Sequence, residues 1–283
     1  MVEHPIIEIN DVTFTYQNMN DQPILNKVNL HFFPGTVTII CGPTGSGKTT
    51  LVRLLNGLIP HFYEGIMKGN VLVDGINTKD TSTAKLAQIV GMVFQNPENQ
   101  LVSSSCEREI AFGPENLGIP RSEISERVEY VIQLLGLQEI RDNSPNELSG
   151  GQKQKVAIAA ALALKPKVLV FDEPTSNLDP ESISKLGGII EMIKTQLNST
   201  IIIVEHRLEP FLNIATHIAC MKDGTVILYD TTDNVVHNNA FYQLGVQVPV
   251  LLKIFHQLYN DGIYSGSFPL CTEKSLSVLR ELL

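Results

Sequence analysis

A chain of 283 residues with 43% hydrophobic side chains can bury a large core in one or two domains. A formal net charge of −9 without any Lys/Arg-rich block argues against nucleic acid as the main partner, and no apolar run reaches the ~18 residues that suggest a membrane span. Cys41, Cys106, Cys220 and Cys271 are scattered, with neither zinc-site nor disulfide spacing. With no basic-then-apolar leader in view, the expectation is a reducing cytoplasm.

Residues 6–9 and 12–16 read as strands, and residues 25–33 as a third in which Val28, Leu30 and Phe32 alternate. This opening predicts an antiparallel unit separate from an α/β core. Tyr16, an aromatic at a strand end, can serve core or rim, or stack on a nucleotide base. Pro34-Gly35 turns the chain into Val37-Thr38-Ile39-Ile40-Cys41, a buried strand. That strand feeds Gly42-Pro43-Thr44-Gly45-Ser46-Gly47-Lys48-Thr49-Thr50, and a helix follows from Leu51. Strand, glycine loop and helix together are the setting of a phosphate loop. The glycines let consecutive N–H groups turn inward around a phosphate at an electropositive helix N-terminus. Lys48 can reach the β- and γ-phosphates, and the Thr49 hydroxyl suits Mg²⁺.

Residues 56–60 close that helix, and residues 69–75 read as a short strand and tight turn. Residues 89–94 form another buried strand that delivers Gln95 to the polar loop Gln95-Asn96-Pro97-Glu98-Asn99-Gln100. From Glu107 to Leu135 the pattern is helical, with breaks expected at Gly113-Pro114 and Gly118-Ile119-Pro120. Ser122 has no Glu or Gln three residues on, so no capping box marks a start there. Leu148-Ser149-Gly150-Gly151-Gln152 opens an alanine-rich helix over residues 153–164, whose glycine pair lets an anion approach the N-terminus closely. Val168-Leu169-Val170-Phe171 followed by Asp172-Glu173 is a buried parallel strand that puts two carboxylates at the sheet edge where such folds bind ligands. An amphipathic helix over 182–197 and a strand over 199–204 lead to Glu205-His206, and residues 218–228 form a hairpin through Lys222-Asp223-Gly224. From about Val235 aromatic residues gather in a small C-terminal appendage, and no internal repeat is visible.

The phosphate loop, a glutamine after a strand, a Ser-Gly-Gly-Gln helix start, an apolar strand ending in Asp-Glu and a histidine after a further strand, in that order, resemble the ATP-binding cassette (ABC) ATPases over roughly residues 6–230. The resemblance implies an α/β P-loop NTPase fold of the ABC type. It places a cassette at 1–234, with an antiparallel β subdomain and a helical subdomain at about 96–165, and an appendage at 235–283. It makes residues 42–50 the Walker A loop, Gln95 the Q-loop residue, Ser149-Gly150-Gly151-Gln152 the signature, and Asp172-Glu173 the Walker B end. Ser176-Asn177-Leu178-Asp179 becomes the D-loop, His206 the switch histidine and Tyr16 the base-stacking aromatic. On this reading ATP is bound by Tyr16, the Walker A residues, Gln95, the signature and Asp179. Mg²⁺ is held by Thr49, Gln95 and Asp172. Glu173 polarises the attacking water, and His206 contacts the γ-phosphate. Phosphoryl transfer needs mainly positioning and charge neutralisation, so these parts suffice. The family also implies a dimer in which Ser149 to Gln152 complete the opposite subunit's ATP site.

The 95–100 loop, the stretch Ala111-Phe112-Gly113-Pro114-Glu115-Asn116-Leu117-Gly118-Ile119-Pro120, the run Glu205-His206-Arg207-Leu208-Glu209 and the extra C-terminal segment are similar to the ATPase subunits of energy-coupling factor (ECF) importers, the cobalt-transporter type included. That implies a peripheral protein on the cytoplasmic face of the membrane. Its partners are a second ATPase subunit, alike or different, a transmembrane coupling protein, and a membrane protein that binds vitamins or metal ions. The Gln95 region is where coupling helices dock. Departures are Asn177 where glycine is usual, Lys155 where arginine is common, and Ser103-Ser104-Ser105-Cys106 where a threonine-valine and acidic run is more usual. No catalytic position is lost. The rival within transport is an ordinary two-component importer ATPase. A soluble ABC protein acting on DNA or ribosomes is opposed by a single cassette and by only about 100 residues, without sustained heptads, between Lys48 and Ser149. The intact Glu173 opposes a nucleotide-gated scaffold.

Overall fold

The computed structural model describes residues 4–17, 22–176 and 178–282. In chain order the elements are β1 (Ile7–Tyr16), β2 (Leu25–Phe32), β3 (Val37–Cys41), α1 (Lys48–Leu55), α2 (Leu58–His61), β4 (Gly65–Val73), β5 (Ile76–Asn77), α3 (Thr83–Ala87), β6 (Val90–Val93), α4 (Cys106–Asn116), α5 (Arg121–Leu135), α6 (Gly150–Ala163), β7 (Val168–Asp172), α7 (Pro180–Leu197), β8 (Thr200–Val204), β9 (His217–Lys222), β10 (Thr225–Thr231), α8 (Thr232–His237), α9 (Asn239–Gln243), α10 (Val250–Asn260) and α11 (Thr272–Leu282).

Two sheets result. The antiparallel one runs β2-β1-β4-β5, and the larger one runs β10-β9-β3-β8-β7-β6, parallel except for its edge strand β10. The parallel strands are apolar at nearly every position because both faces are covered. Ile39, Leu169, Phe171, Ile201 and Ile203 point into one core with α6, α7 and the appendage. Ile40, Val168, Val170, Ile202 and Val204 alternate with them into a second core shared with α1 and the antiparallel sheet. This period-two division fixes strand register, since a slip of one residue would exchange the faces. It brings the C-terminal ends of β3, β8, β7 and β6 to a single edge.

Three sequence expectations are corrected. The strands expected at 6–9 and 12–16 are one strand, β1, with register shifts between Ile9 and Phe14 and Asp11 at φ 49°. A bulge there bends the strand without ending it. Helix α4 is not broken at Gly113-Pro114: it continues to Asn116, because a proline in the last turn removes a single helical hydrogen bond. Helix α7 begins at Pro180, two residues earlier than expected, with Asp179 as its cap. The expected hairpin is β9–β10, turned by Asp223 and Gly224 at φ 49° and 76°, the pair of positive φ values that a two-residue hairpin turn requires.

Candidate active site

The loop after β3 is shaped by backbone that side chains would obstruct. Gly42 has φ 152°, and a Cβ there would lie 2.1 Å from the Met221 carbonyl oxygen. Gly47, at φ 96°, caps α1, and a Cβ on it would lie 2.8 Å from the Ile24 oxygen. Between them the Ser46 hydroxyl is buried without a hydrogen-bond partner. An orphan donor beside the exposed N–H groups of a helix start fits a bound phosphate. Lys48 is the first residue of α1, and its ammonium donates to the Gly42 and Pro43 carbonyls at 3.0 Å each. Desolvation pulls its pKa down, and the nearby Glu173 acts in the opposite sense. Tyr16, half-buried at the end of β1, meets the Thr50 hydroxyl at 3.1 Å and accepts from Arg53 Nη1 at 3.4 Å. That fastens the β1 aromatic to the helix of the phosphate loop. Arg53 itself lies 4.4 Å over the Tyr63 ring.

Asp172 ends β7 and is 3% exposed. Burial pushes its pKa up to about 6, against the hydrogen bond from Thr49 Oγ1, which lies 3.1 Å from its Oδ1. A hydroxyl and a carboxylate at that spacing fit a hard divalent cation that takes its remaining ligands from phosphate and water. Next along the chain, Glu173 stands at φ 49°, a left-handed conformation uncommon outside glycine, and donates its N–H to the Val204 oxygen at 2.9 Å. Its carboxylate is held from both sides. Gln95 Nε2 donates to Oε2 at 2.7 Å, and His206 Nε2 lies 3.1 Å from Oε1, donating in the Nε2–H tautomer. The Ser176 hydroxyl donates to the Gln95 carbonyl at 2.7 Å, closing the ring behind them. Three chain segments far apart in sequence, around Gln95, Glu173 and His206, thus meet at one carboxylate.

The signature lies elsewhere on the surface. Ser149 Oγ accepts from Gln152 N, and Gln152 Oε1 accepts from Ser149 N at 2.9 Å, a reciprocal cap for α6. Ser-x-x-Gln is a capping-box pattern, so these residues fix the helix start expected there. Gly151 packs against α7, where a Cβ would lie 3.0 Å from Ser182 Oγ. Asp179 accepts from Ser182 N at 2.9 Å and Ser182 Oγ at 2.6 Å, so its carboxylate is engaged in capping α7. Among the described residues no hydrogen bond joins Ser149 to Gln152, or Asp179, to residues 42–50. The structure brings Tyr16, residues 42–50, Gln95, Asp172, Glu173 and His206 together and leaves the signature and Asp179 apart. Asn177 lies outside the described residues. Lys153, just past the signature, forms an ion pair with Glu98 of the loop after Gln95.

Residues 25–176 match the family described as ABC transporter. The chain belongs to the ABC transporter family. It is 42% identical over 259 residues to a Pyrococcus horikoshii protein named as an ABC transporter ATP-binding protein, covering 91% of each chain. It is 40% identical over 275 residues to another so named from Methanosarcina acetivorans, covering 97% of this chain but only 42% of that one. The chain therefore spans less than half the length of that relative. Among solved structures, CbiO1 from Clostridium perfringens, part of the ABC transporter complex CbiONQ, superposes with a TM-score of 0.74 at 30% identity over 89% of this chain and 99% of that one. The ATP-binding cassette MJ0796, dimeric and bound to ADP and phosphate in a post-hydrolysis state, superposes with a TM-score of 0.69 at 26% identity over 80% of this chain and 98% of that one. This ABC ATPase has the cassette fold, binds nucleotide and hydrolyses ATP as the ATP-binding subunit of a transporter. No helix among the described residues is long and apolar enough to cross a membrane.

Proposed function

We propose that this subunit energises an ECF-type importer for vitamins or metal ions, as one of two ATPase subunits docked under a transmembrane coupling protein. The observation that carries the reading is the likeness to CbiO1, which extends over 89% of the chain at a TM-score of 0.74, against 80% and 0.69 for MJ0796. In the catalytic roles we propose, residues 42–50 wrap the triphosphate with backbone N–H groups, and Lys48 turns from the Gly42 and Pro43 carbonyls to the β- and γ-phosphates. Thr49 and Asp172 hold Mg²⁺, which when bound neutralises phosphate charge, and Gln95 contributes through the Oε1 that its bond to Glu173 leaves free. Glu173 takes the proton of the attacking water, and His206 aligns that carboxylate and the γ-phosphate. Tyr16 stacks on the base.

The same proposal assigns Ser149 to Gln152 to the nucleotide of a partner subunit, in keeping with the separation of the signature from its own phosphate loop. The cassette is taken as 1–234, with helical subdomain 96–165 and appendage 235–283. Affinity isolation of the chain from native membranes tests the reading. An ECF module returns a small hydrophobic coupling protein, with or without a second cassette protein, and no separate extracytoplasmic binding protein. Recovery with a periplasmic or lipoprotein binder assigns an ordinary two-component importer instead, and recovery with ribosomes or DNA removes transport.

A further inference from the structure

Glu205 follows β8 and precedes His206, and its carboxylate is 2% exposed. Among the described residues it forms no ion pair. It is surrounded by donors instead. Oε1 accepts from the Thr175 N–H at 2.9 Å and from Thr175 Oγ1 at 2.5 Å. Oε2 accepts from the N–H groups of His206 at 2.8 Å and Arg207 at 3.1 Å. Three backbone donors and one hydroxyl surround the buried carboxylate, a costly arrangement if any of them is missing.

The partners lie where the reaction is set up. Thr175 stands two residues after Glu173 and next to Ser176, whose hydroxyl holds the Gln95 backbone. Glu173 is tied to β8 by its own N–H, which donates to Val204. The Glu205 carboxylate is a further tie between the same two loops, beside the Glu173 N–H bond to Val204 and the His206–Glu173 contact, placed beyond Glu173 on one loop and at His206 on the other. It braces the backbone on both sides of the Glu173–His206 contact and so restrains their separation. We propose that Glu205 is a positioning residue for ATP hydrolysis, whose buried carboxylate staples the loop after Glu173 to the loop that begins at His206. Glu205 touches no phosphate and acts through its neighbours. The inference rests on the roles proposed for Glu173 and His206, and it is independent of the type of importer.

Glu205→Gln tests it with little change of shape. The amide NH₂ must face either the Thr175 N–H or the paired N–H groups of His206 and Arg207, so one end of the staple opens. In the full chain we expect kcat to fall about tenfold or more, since loosening the reacting geometry by a fraction of an ångström is felt at that scale. ATP affinity stays within about twofold, because the phosphate loop is untouched, while the melting temperature falls, because a buried donor is left facing the amide NH₂. Wild-type kcat in the folded variant overturns the proposal, and so does an equal loss of kcat and affinity. Should Glu205→Gln not fold, Glu205→Asp decides: it keeps the carboxylate but shortens its reach by a methylene, so it no longer meets both loops, and an unchanged kcat with unchanged affinity overturns the staple. Glu173→Gln in the same assay separates the two layers. If Glu173→Gln turns over normally, the catalytic reading fails; if it is inactive while Glu205→Gln is normal, only the staple fails.

Discussion

Glu173 sits in a left-handed backbone conformation with its carboxylate spoken for by Gln95 and His206. Such strain persists only where surrounding contacts over-determine it, and it gathers at reacting centres. A general base contributes about 10²–10⁴ to the rate, so in the role proposed for Glu173 the change Glu173→Gln is expected to lower ATP turnover by about that factor and to keep nucleotide affinity. Steady-state turnover beside equilibrium ATP binding checks it, and wild-type turnover removes the role. Lys48→Ala is the counterpart: it deletes the charge proposed to meet phosphate and should weaken nucleotide binding itself, so unchanged affinity would dismiss residues 42–50 as a phosphate loop. These residues were legible in the sequence because the loop is contiguous and its spacing is chemical. Glu205 was visible as a neighbour of His206, but its contact with Thr175 spans 30 positions and has no sequence period. Arg53 was hidden for a related reason: its aromatic partners, Tyr16 and Tyr63, lie on other elements.

Elements were legible where one physical signal governs them. The alternation in β2, the apolar runs of β3, β7 and β8, and the Asp223-Gly224 turn all follow from residue type. Boundaries and joins were not, because Asp11 in β1 and Pro114 in α4 carry local signals to break that the surrounding sheet and helix packing override. How the two sheets are joined was also beyond reach. Tyr229 on β10 donates its hydroxyl to the His31 carbonyl of β2 at 2.6 Å, across the layers. Burial raises its pKa to about 12, against about 10 in an unfolded chain. For a group whose folded pKa is the higher one, the stabilisation is complete below the unfolded value and is lost as pH climbs from about 10 to about 12. Tyr229→Phe should therefore cost about 1 kcal/mol at pH 8 through the lost hydrogen bond, and the variant should lack the alkaline decline that this phenol imposes. Denaturant unfolding at several pH values reads both effects. Parallel declines of the two proteins through the alkaline range would remove Tyr229 as the titrating link.

At the scale of the molecule, the appendage is built into the cassette. Val235, Val236, Phe241, Leu252, Phe255 and Phe268 belong to the same buried cluster as Leu208, Phe211 and Leu212, which follow His206, and as Ile201 and Ile203 of the central sheet. Asn213 of the cassette and the Phe268 region of the appendage line one cavity. His237 packs its ring 4.0 Å from Phe268, while the Tyr242 hydroxyl donates to the Val236 carbonyl at 2.7 Å. A segment whose apolar side chains complete a neighbour's core cannot melt alone without uncovering that core. Phe255, fully buried, is the sharpest probe. Its replacement by alanine should lower stability by about 3–5 kcal/mol and leave a single unfolding transition, in which helical signal and nucleotide binding are lost together. Excess ATP should raise the midpoint of that one transition, since a ligand bound only by the folded chain stabilises everything that unfolds with its site. A separate early transition that ATP does not shift would instead make residues 235–283 an independent unit resting on the cassette, and the loop after His206 would then owe its placement to the sheet alone.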